Sequence, residues 1–291
     1  RCCGRKRGRG GAPVLNVLAI MSSSGLVGNA ISDEEKKWMD QIEAAAKAEG
    51  LTVDNRYMLA SFAIVAKGDV SKAIKRIKNW NTICDTHRVK DVTEEQATAW
   101  IKGTMPELFY ATGRDDEGRT GNGIRQGKIQ PKKVESAEDV RMFVRVLGDN
   151  LRANACTLEE VRRGSFFMGD MSEMKWENFS FKLQKKIAGV IQDGYPIKLK
   201  RIILVNPPSF FFALLKLLAL VMKKKIIDRI KPIQMSEVPT LLTDPNSIPA
   251  HMGGGMTQDF YEKRANQLKI WRASVAELEG GGGPRASTVS M

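Results

Sequence analysis

The stretch RIILVNPPSFFFALLKLLALVMKKKIIDRI, Arg201–Ile230, contains the two segments that decide the fold. Arg201–Asn206 is continuously apolar in its middle and rich in β-branched residues, which is typical of a buried strand. Phe210–Met222 is apolar on every side except at Lys216, and a helix that is apolar all round must be buried or face lipid. The stretch therefore predicts a buried strand followed by a helix with more apolar surface than an ordinary surface helix.

This apolar helix is too short to cross a membrane, because a transmembrane helix needs about 20 apolar residues. Asn206, Pro207 and Pro208 precede it and lysines follow it, so no longer apolar span can be assembled. Its large side chains nevertheless cover more than one face of the helix. Packing in the core alone and contact with an apolar ligand or a membrane interface are both compatible with this pattern.

The residues before Arg201 complete a strand–helix–strand unit. Ser165–Gly169 is a short apolar run that suits a buried strand, and Met174–Gln192 has one apolar stripe, which predicts a single amphipathic helix. A strand, a helix and a second strand with this spacing form a right-handed crossover between parallel strands. We therefore expect a largely parallel sheet that is covered by helices.

The first hundred residues predict a small helical unit. Ser32 and Glu35 form a capping box, so order is expected to begin at Ser32 with a helix that ends near Ala48. Between this unit and the βαβ unit lies a turn-rich connection with a short strand near Ile124. The remaining predicted helices are Asn55–Val65, Val70–Thr86, Thr93–Lys102, Ala137–Ala155 and Phe260–Leu278.

The charge of the chain indicates an anionic partner. The 291 residues include 46 Lys and Arg against 33 Asp and Glu, a net charge of +13, and both nucleic acid and an anionic membrane satisfy this condition. The basic residues of the run Lys223–Lys231 directly follow the apolar helix, as in surfaces that dock on anionic lipid. Nucleic-acid binding favours aromatic residues interleaved with the charges, whereas here the aromatic residues lie in the apolar helix.

The residues that enzymes and metal sites need are scarce. The four cysteines include no CxxC pair, and the two histidines, His87 and His251, have no nucleophile motif to serve. The glycine-rich stretch Gly121–Lys128 does not have the spacing of a phosphate-binding loop. We therefore expect neither an enzyme nor a bound cofactor or metal.

Four motifs, in order, resemble the CRAL-TRIO family of lipid-binding proteins between about Tyr57 and Gly255. The stretch AKGDVSKAI (66–74) is similar to the family's RKFDVEKAL, and GRDDEGR (113–119) is similar to its GRDKEGRP. Arg201–Ile230 resembles the block of the type IVNPPWIFNALWKLVKPFLSEKTRSKI, and SIPAHMGGG (247–255) resembles the closing NLPEEFGG. The third motif is the most specific of the four.

The resemblance implies an α/β fold with a mixed, largely parallel sheet that floors a lipid cavity. A gating helix, here Phe210 to about Met222, would cover the cavity, and a small all-helical unit would precede the domain. Known members of the family carry phosphatidylinositol, phosphatidylcholine, tocopherol or retinaldehyde. The residues expected to line the cavity and the gate are Phe166, Phe167, Met168, Phe210, Phe211, Phe212, Leu214, Leu215, Leu218 and Val221.

The resemblance also implies a phosphoinositide site beside the gate, as in the tocopherol carrier of the family. The matching positions here are Lys198, Lys200, Lys225 and Arg229. The chain departs from the fungal phosphatidylinositol carriers elsewhere. It has Ile64 and Ala66 where they have arginines, and Gln192 where they have a glutamate that helps hold the inositol headgroup. A tocopherol-like or retinoid-like ligand, or a different lipid, is therefore favoured over phosphatidylinositol.

Together these patterns predict a carrier that moves a hydrophobic molecule or phospholipid between membranes. It is expected to be a cytoplasmic monomer that docks reversibly on anionic membrane and does not bind nucleic acid. The alternative is a regulatory or scaffold module that senses lipid without transferring it. The expected parts are a disordered basic tail (1–31), a helical unit (32–112), the lipid-binding domain (113–262), and the end of a helix with a disordered tail (263–291).

Overall fold

The computed structural model describes residues 21–22, 25–26 and 28–280, and the fold follows from these. Most of the predicted basic tail and the glycine-rich C-terminal segment lie outside the described residues. The α-helices are α1 (Asp33–Ala48), α2 (Arg56–Ala66), α3 (Val70–Thr86), α4 (Glu94–Thr104), α5 (Ala137–Asn154), α6 (Leu158–Arg163), α7 (Phe181–Ala188), α8 (Phe211–Leu218), α9 (Lys224–Ile227) and α10 (Phe260–Leu278). The strands are β1 (Met21–Ser22), β2 (Gly25–Leu26), β3 (Phe109–Ala111), β4 (Thr120–Arg125), β5 (Ser165–Asp170), β6 (Leu199–Val205) and β7 (Ile230–Ile233).

The central sheet is mixed and largely parallel, as predicted. Its five strands follow the order β3-β4-β5-β6-β7, with β3 antiparallel to β4 and the other neighbours parallel. One face packs on the segment 235–252 through Tyr110, Met168 and Ile203, among others. The other face lies toward α5, α7 and α8 and carries the cavity described below.

The helix predicted over Met174–Gln192 is wrong as one continuous element. The structure has a short 3₁₀ turn at Trp176–Asn178, then α7, then a π-helical segment at Gly189–Gly194. α7 begins at Ser180, whose Oγ accepts a hydrogen bond from the Leu183 N–H at 3.3 Å. This local cap competes with helix continuation, which an apolar stripe alone does not reveal.

The predicted capping box at Ser32 is confirmed. The Glu35 N–H donates to Ser32 Oγ at 3.2 Å, and the Ser32 N–H donates to Glu35 Oε2 at 3.0 Å. Ordered contacts nevertheless begin before Ser32, the predicted start. Asn29 is buried, donates to Glu277 and accepts from the Leu158 N–H. The chain just before α1 therefore packs against α6 and α10.

The N-terminal helices share one core with α5, α6 and residues beside the sheet, including Phe109 on β3. The rings of Trp80 on α3 and Tyr195 before β6 pack edge to face at 5.3 Å, and Tyr57 on α2 donates to the Ala155 carbonyl at 2.5 Å. An ion pair joins the two parts at the surface, since Arg162 on α6 donates to both carboxylate oxygens of Glu35, at 2.9 and 2.8 Å. The helical unit is thus packed onto the sheet domain.

We expect Glu35→Gln to lower the free energy of unfolding by about 1–2 kcal/mol, because it removes a two-point, charge-assisted hydrogen bond. The pKa of Glu35 is lowered, first by its hydrogen bond from Arg162. The stabilisation is therefore present above the pKa of an unfolded Glu, about 4.3, and is lost as the pH falls through the lower folded value. Urea unfolding at pH 7 and in mild acid measures it.

The matched control for this prediction is Glu34→Gln, since Glu34 is the exposed neighbour in the same helical turn. The Glu35 variant should lose its deficit against wild type as the pH falls below 4. A deficit of the same size at all pH values would show that the ion pair with Arg162 is not its origin.

Candidate hydrophobic-ligand cavity and its gate

A cavity of about 190 Å³ lies between the sheet and the helices α5, α7 and α8. The sheet contributes one row across three strands, Asn122, Phe167 and Ile202, which are paired neighbours in the register. The space is lined almost entirely by apolar side chains, including Leu108, Phe109, Ile129, Phe143, Leu147, Met171, Met174, Phe179, Leu183, Ile187, Ile191, Ile197, Leu199, Leu204, Met222, Ile226 and Ile230.

The structure divides the predicted β5 residues between the two faces of the sheet. Phe167 lies on the cavity side, whereas Met168 does not line the cavity and packs with Tyr110 and Ile203 in the core on the opposite face. Phe166 is among the lining residues but also belongs to that opposite core. The prediction for Met168 is wrong because successive side chains of a strand point to opposite faces.

The helix predicted as the gate, Phe210–Met222, corresponds to α8 and is shorter than predicted. Phe211, Leu214 and Leu218 recur at helical spacing and line the cavity. The other predicted gate residues lie on or beside the helix without lining the cavity. These are Phe210, Phe212, Leu215 and Val221.

The outer face of the gate is apolar and exposed. Phe212 is 61% exposed, Leu217 40% and Leu220 75%. Trp176, in the 3₁₀ turn before α7, and Phe181, the first residue of α7, are 53% and 39% exposed, and the Trp176 ring stacks on Phe210 at 4.9 Å. We call these five residues, Trp176, Phe181, Phe212, Leu217 and Leu220, the gate patch. Within the described part of the chain no other large apolar side chain is as exposed.

Gln192 joins the end of the gate to the π-helical segment. Its side-chain Nε2 donates to the Val221 carbonyl at 3.1 Å, and its Oε1 accepts from the Lys223 N–H at 2.5 Å. Its own backbone carbonyl accepts from Arg76 on α3 at 2.7 Å, and Arg76 also donates to the Tyr195 carbonyl. The sequence drew attention to Gln192 only as a replaced headgroup ligand and did not indicate this link.

The four predicted basic residues lie at the amino-terminal end of the sheet and in α9. Lys198 precedes β6 and Lys200 lies in it, and the Arg229 guanidinium donates to the Leu199 carbonyl between them. Burial, followed by the nearby charge of Lys200, lowers the pKa of Lys198. Lys200 and Lys225 are exposed. The structure therefore leaves Lys200 and Lys225 as the more accessible members of this basic group.

An apolar internal cavity covered by the short helix α8 places the protein in a class, that of folds with room for a hydrophobic ligand. Among the helices of residues 28–280, none is long and apolar enough to span a bilayer. The family model of the CRAL/TRIO domain matches residues 104–254, more than half of the chain, and the chain belongs to this family. Lipid binding and transfer are therefore the general function of its fold.

Individual relatives match shorter stretches. The tyrosine-protein phosphatase non-receptor type 9 of Homo sapiens is 30% identical over 98 residues, which are 34% of this chain and 16% of that protein. The alpha-tocopherol transfer protein-like of Homo sapiens is 31% identical over 118 residues, which are 36% of this chain and 34% of that protein. The matches thus span about a sixth and a third of these relatives.

A solved structure supports the fold over most of the chain. The crystal structure of Sfh5 superposes with a TM-score of 0.52, covering 86% of this chain and 99% of that chain at 14% sequence identity. At this identity the likeness concerns the fold alone. It extends to the N-terminal helices, because the covered share exceeds the matched family domain.

Proposed function

We propose that the protein takes up a hydrophobic small molecule or lipid in the cavity and transfers it between membranes. The observation that carries this proposal is the two-sided gate. The same short helix presents Phe211 and Leu214 to the cavity and Phe212 and Leu217 to the exterior. A helix with this arrangement contacts the cargo on one side and a bilayer on the other, so contact with the membrane and release of the cargo are coupled.

The energetics of transfer require such a cavity. A lipid leaving a bilayer loses about 0.8 kcal/mol for each methylene brought into water, so a dozen methylenes amount to about 10 kcal/mol. An apolar cavity offsets most of this cost, and the gate must move for the cargo to pass. The gate patch and the basic residues next to it supply the two attractions that bring a protein to an anionic membrane surface.

We expect Lys200→Glu combined with Lys225→Glu to weaken binding to vesicles that contain phosphatidylinositol phosphates by at least tenfold. Each basic charge near an anionic leaflet contributes about 1 kcal/mol, and reversal adds repulsion. Arg229 is left intact because it hydrogen-bonds the Leu199 carbonyl and its loss would disturb the sheet. Sedimentation with vesicles at low and high salt measures the effect.

The control reverses two exposed charges on α1, Lys37→Glu and Lys47→Glu. It produces the same net charge and should reduce binding much less. Equal loss in both variants would show that net charge, and not the group beside the gate, determines docking.

Native mass spectrometry of the purified protein, with lipid extraction, tests the carrier function. We expect a co-purified lipid at close to one molecule per chain, and transfer of that lipid between donor and acceptor vesicles. Lipid that is bound but not transferred would favour the sensing or scaffold module instead. A protein that neither retains nor takes up any lipid from vesicles would contradict the proposal.

A further inference from the structure

Three of the seven polar side chains in the cavity lining lie near one another. They are Asn122 on β4, Asn154 at the end of α5, and Ser165 at the start of β5. Each is at least nine-tenths buried, with exposures of 6%, 6% and 1%. Their placement bears on what the cavity holds, and the inference drawn from it rests on the proposed carrier function.

The sheet register brings these three residues together. Ser165 is the paired neighbour of Thr120, and Asn122 lies two residues further along β4. The side chains of Ser165, Thr120 and Asn122 therefore point to the same face of the sheet. The Thr120 hydroxyl donates to the Asn154 backbone carbonyl at 2.6 Å, which fixes the end of α5 above this corner. Three separate elements thus converge on one corner of the cavity.

Each of the three side chains has an atom without a hydrogen-bond partner among the described residues. These atoms are Asn122 Nδ2, a donor, Asn154 Oδ1, an acceptor, and Ser165 Oγ, which can be either. Buried polar atoms are nearly always paired, because an unpaired one has lost its hydrogen bonds to water without gaining others. Three such atoms at one corner of an apolar cavity therefore indicate a polar group on the molecule that occupies it.

The remaining wall limits the charge of that group. The cavity lining contains no Lys, Arg, His, Asp or Glu within the described part of the chain. A phosphate or carboxylate buried against it would meet no counter-charge among the lining side chains, and burying an uncompensated charge is far more costly than burying a neutral polar group. The wall is therefore suited to a neutral ligand.

We propose that Asn122, Asn154 and Ser165 anchor the hydroxyl group of a neutral, long-chain lipid alcohol. A hydroxyl accepts one hydrogen bond and donates another, which matches the unpaired donor of Asn122 and the unpaired acceptor of Asn154. Ser165 completes the site as a second donor or acceptor. The apolar remainder of the molecule extends along the cavity toward Phe211 and Leu214 of the gate.

The test compares three tracers of equal chain length, namely deuterated oleyl alcohol, 1-octadecene and oleic acid. Each is offered in phosphatidylcholine vesicles at pH 7.4, the protein is separated from the vesicles, and the retained tracer is quantified by mass spectrometry. The readout is the ratio of retained alcohol to retained octadecene in a variant relative to wild type, in which the contribution of the vesicle cancels.

We expect the ratio to fall at least tenfold in Asn122→Leu/Ser165→Ala, with octadecene retention unchanged. Ser165→Ala alone serves as the milder variant and should lower the ratio by a smaller factor. The control is Gln41→Leu, which replaces an exposed amide on α1 outside the cavity and should leave the ratio unchanged. Because Asn122 Nδ2 and Ser165 Oγ have no hydrogen-bond partner among the described residues, neither variant should unfold at a lower urea concentration.

The possible failures are distinguishable. An unchanged ratio in both anchor variants, with all tracers still retained, would overturn the anchor and leave the carrier function standing. Preferential retention of oleic acid by wild type would overturn the neutral-alcohol assignment. Retention of no tracer by wild type would overturn the carrier function and the anchor together.

Discussion

Phe212→Asp combined with Leu220→Asp is expected to reduce binding to mixed phosphatidylcholine–phosphatidylserine vesicles at least 100-fold. The two side chains are 61% and 75% exposed, Phe212 on the outer face of α8 and Leu220 in the turn that follows it. Burying one fully exposed large apolar side chain contributes about 1.5–3 kcal/mol, so the pair, being partly exposed, accounts for about 2–4 kcal/mol, and the two carboxylates add repulsion from the anionic leaflet. Each tenfold change in affinity corresponds to about 1.4 kcal/mol. Vesicle sedimentation measures the loss directly.

The effect should differ in its salt dependence from that of the basic residues. Phe212 and Leu220 contribute to binding through apolar contact, so the loss caused by their substitution should remain at high salt. The contribution of Lys200 and Lys225 is electrostatic and is screened by salt. Ala44→Asp with Ala48→Asp, on the exposed side of α1, introduces the same two charges and serves as the control. Wild-type binding by the double gate variant would exclude the gate patch as the docking surface.

The features that the sequence predicted correctly depend on local patterns. The β-branched run Arg201–Asn206 and the short apolar run at Ser165 predict two parallel strands, because such runs are typical of strands that are buried on both faces. The Ser32–Glu35 capping box specifies the start of α1 through two hydrogen bonds made within one turn. In the same way, the apolar run after Pro208 indicated a helix with surplus apolar surface.

The features that the sequence analysis missed depend on which face of a strand or helix packs against which neighbouring element. In SFFMG every position after Ser165 is apolar, so nothing local separates Phe167, on the cavity face, from Met168, in the opposite core. The two edge strands were missed because their own sequence signals are weak. β3 has only three residues, and β7 contains Pro232, which is tolerated at a sheet edge but weakens a strand signal.

The polar corner of the cavity could not be predicted either. Asn122, Asn154 and Ser165 are far apart in the chain, and each is an ordinary residue in its own segment. Asn122 even lies within the glycine-rich stretch that suggested a turn-rich connection. Only the parallel register, together with the end of α5, shows that their side chains meet in an otherwise apolar space.

Gln192→Leu is expected to speed the exchange of bound lipid about tenfold. The substitution removes the hydrogen bonds that Gln192 gives to the Val221 carbonyl and receives from the Lys223 N–H. Each contributes about 0.5–1.5 kcal/mol, so the closed gate loses about 1–3 kcal/mol relative to the open one. Stopped-flow transfer of a fluorescent lipid, with hydrogen exchange of the amides between Phe211 and Lys223, measures both the rate and the opening.

Gln192→Glu separates the two hydrogen bonds. A carboxylate still accepts from the Lys223 N–H but cannot donate to the Val221 carbonyl, so its exchange rate should lie between those of wild type and Gln192→Leu. Gln184→Leu, which replaces an amide in the cavity lining outside this link, should leave the rate unchanged. If Gln192→Leu exchanges lipid at the wild-type rate, the gate opens without breaking this link, and its hinge must lie on the amino-terminal side of α8, near Pro207 and Pro208.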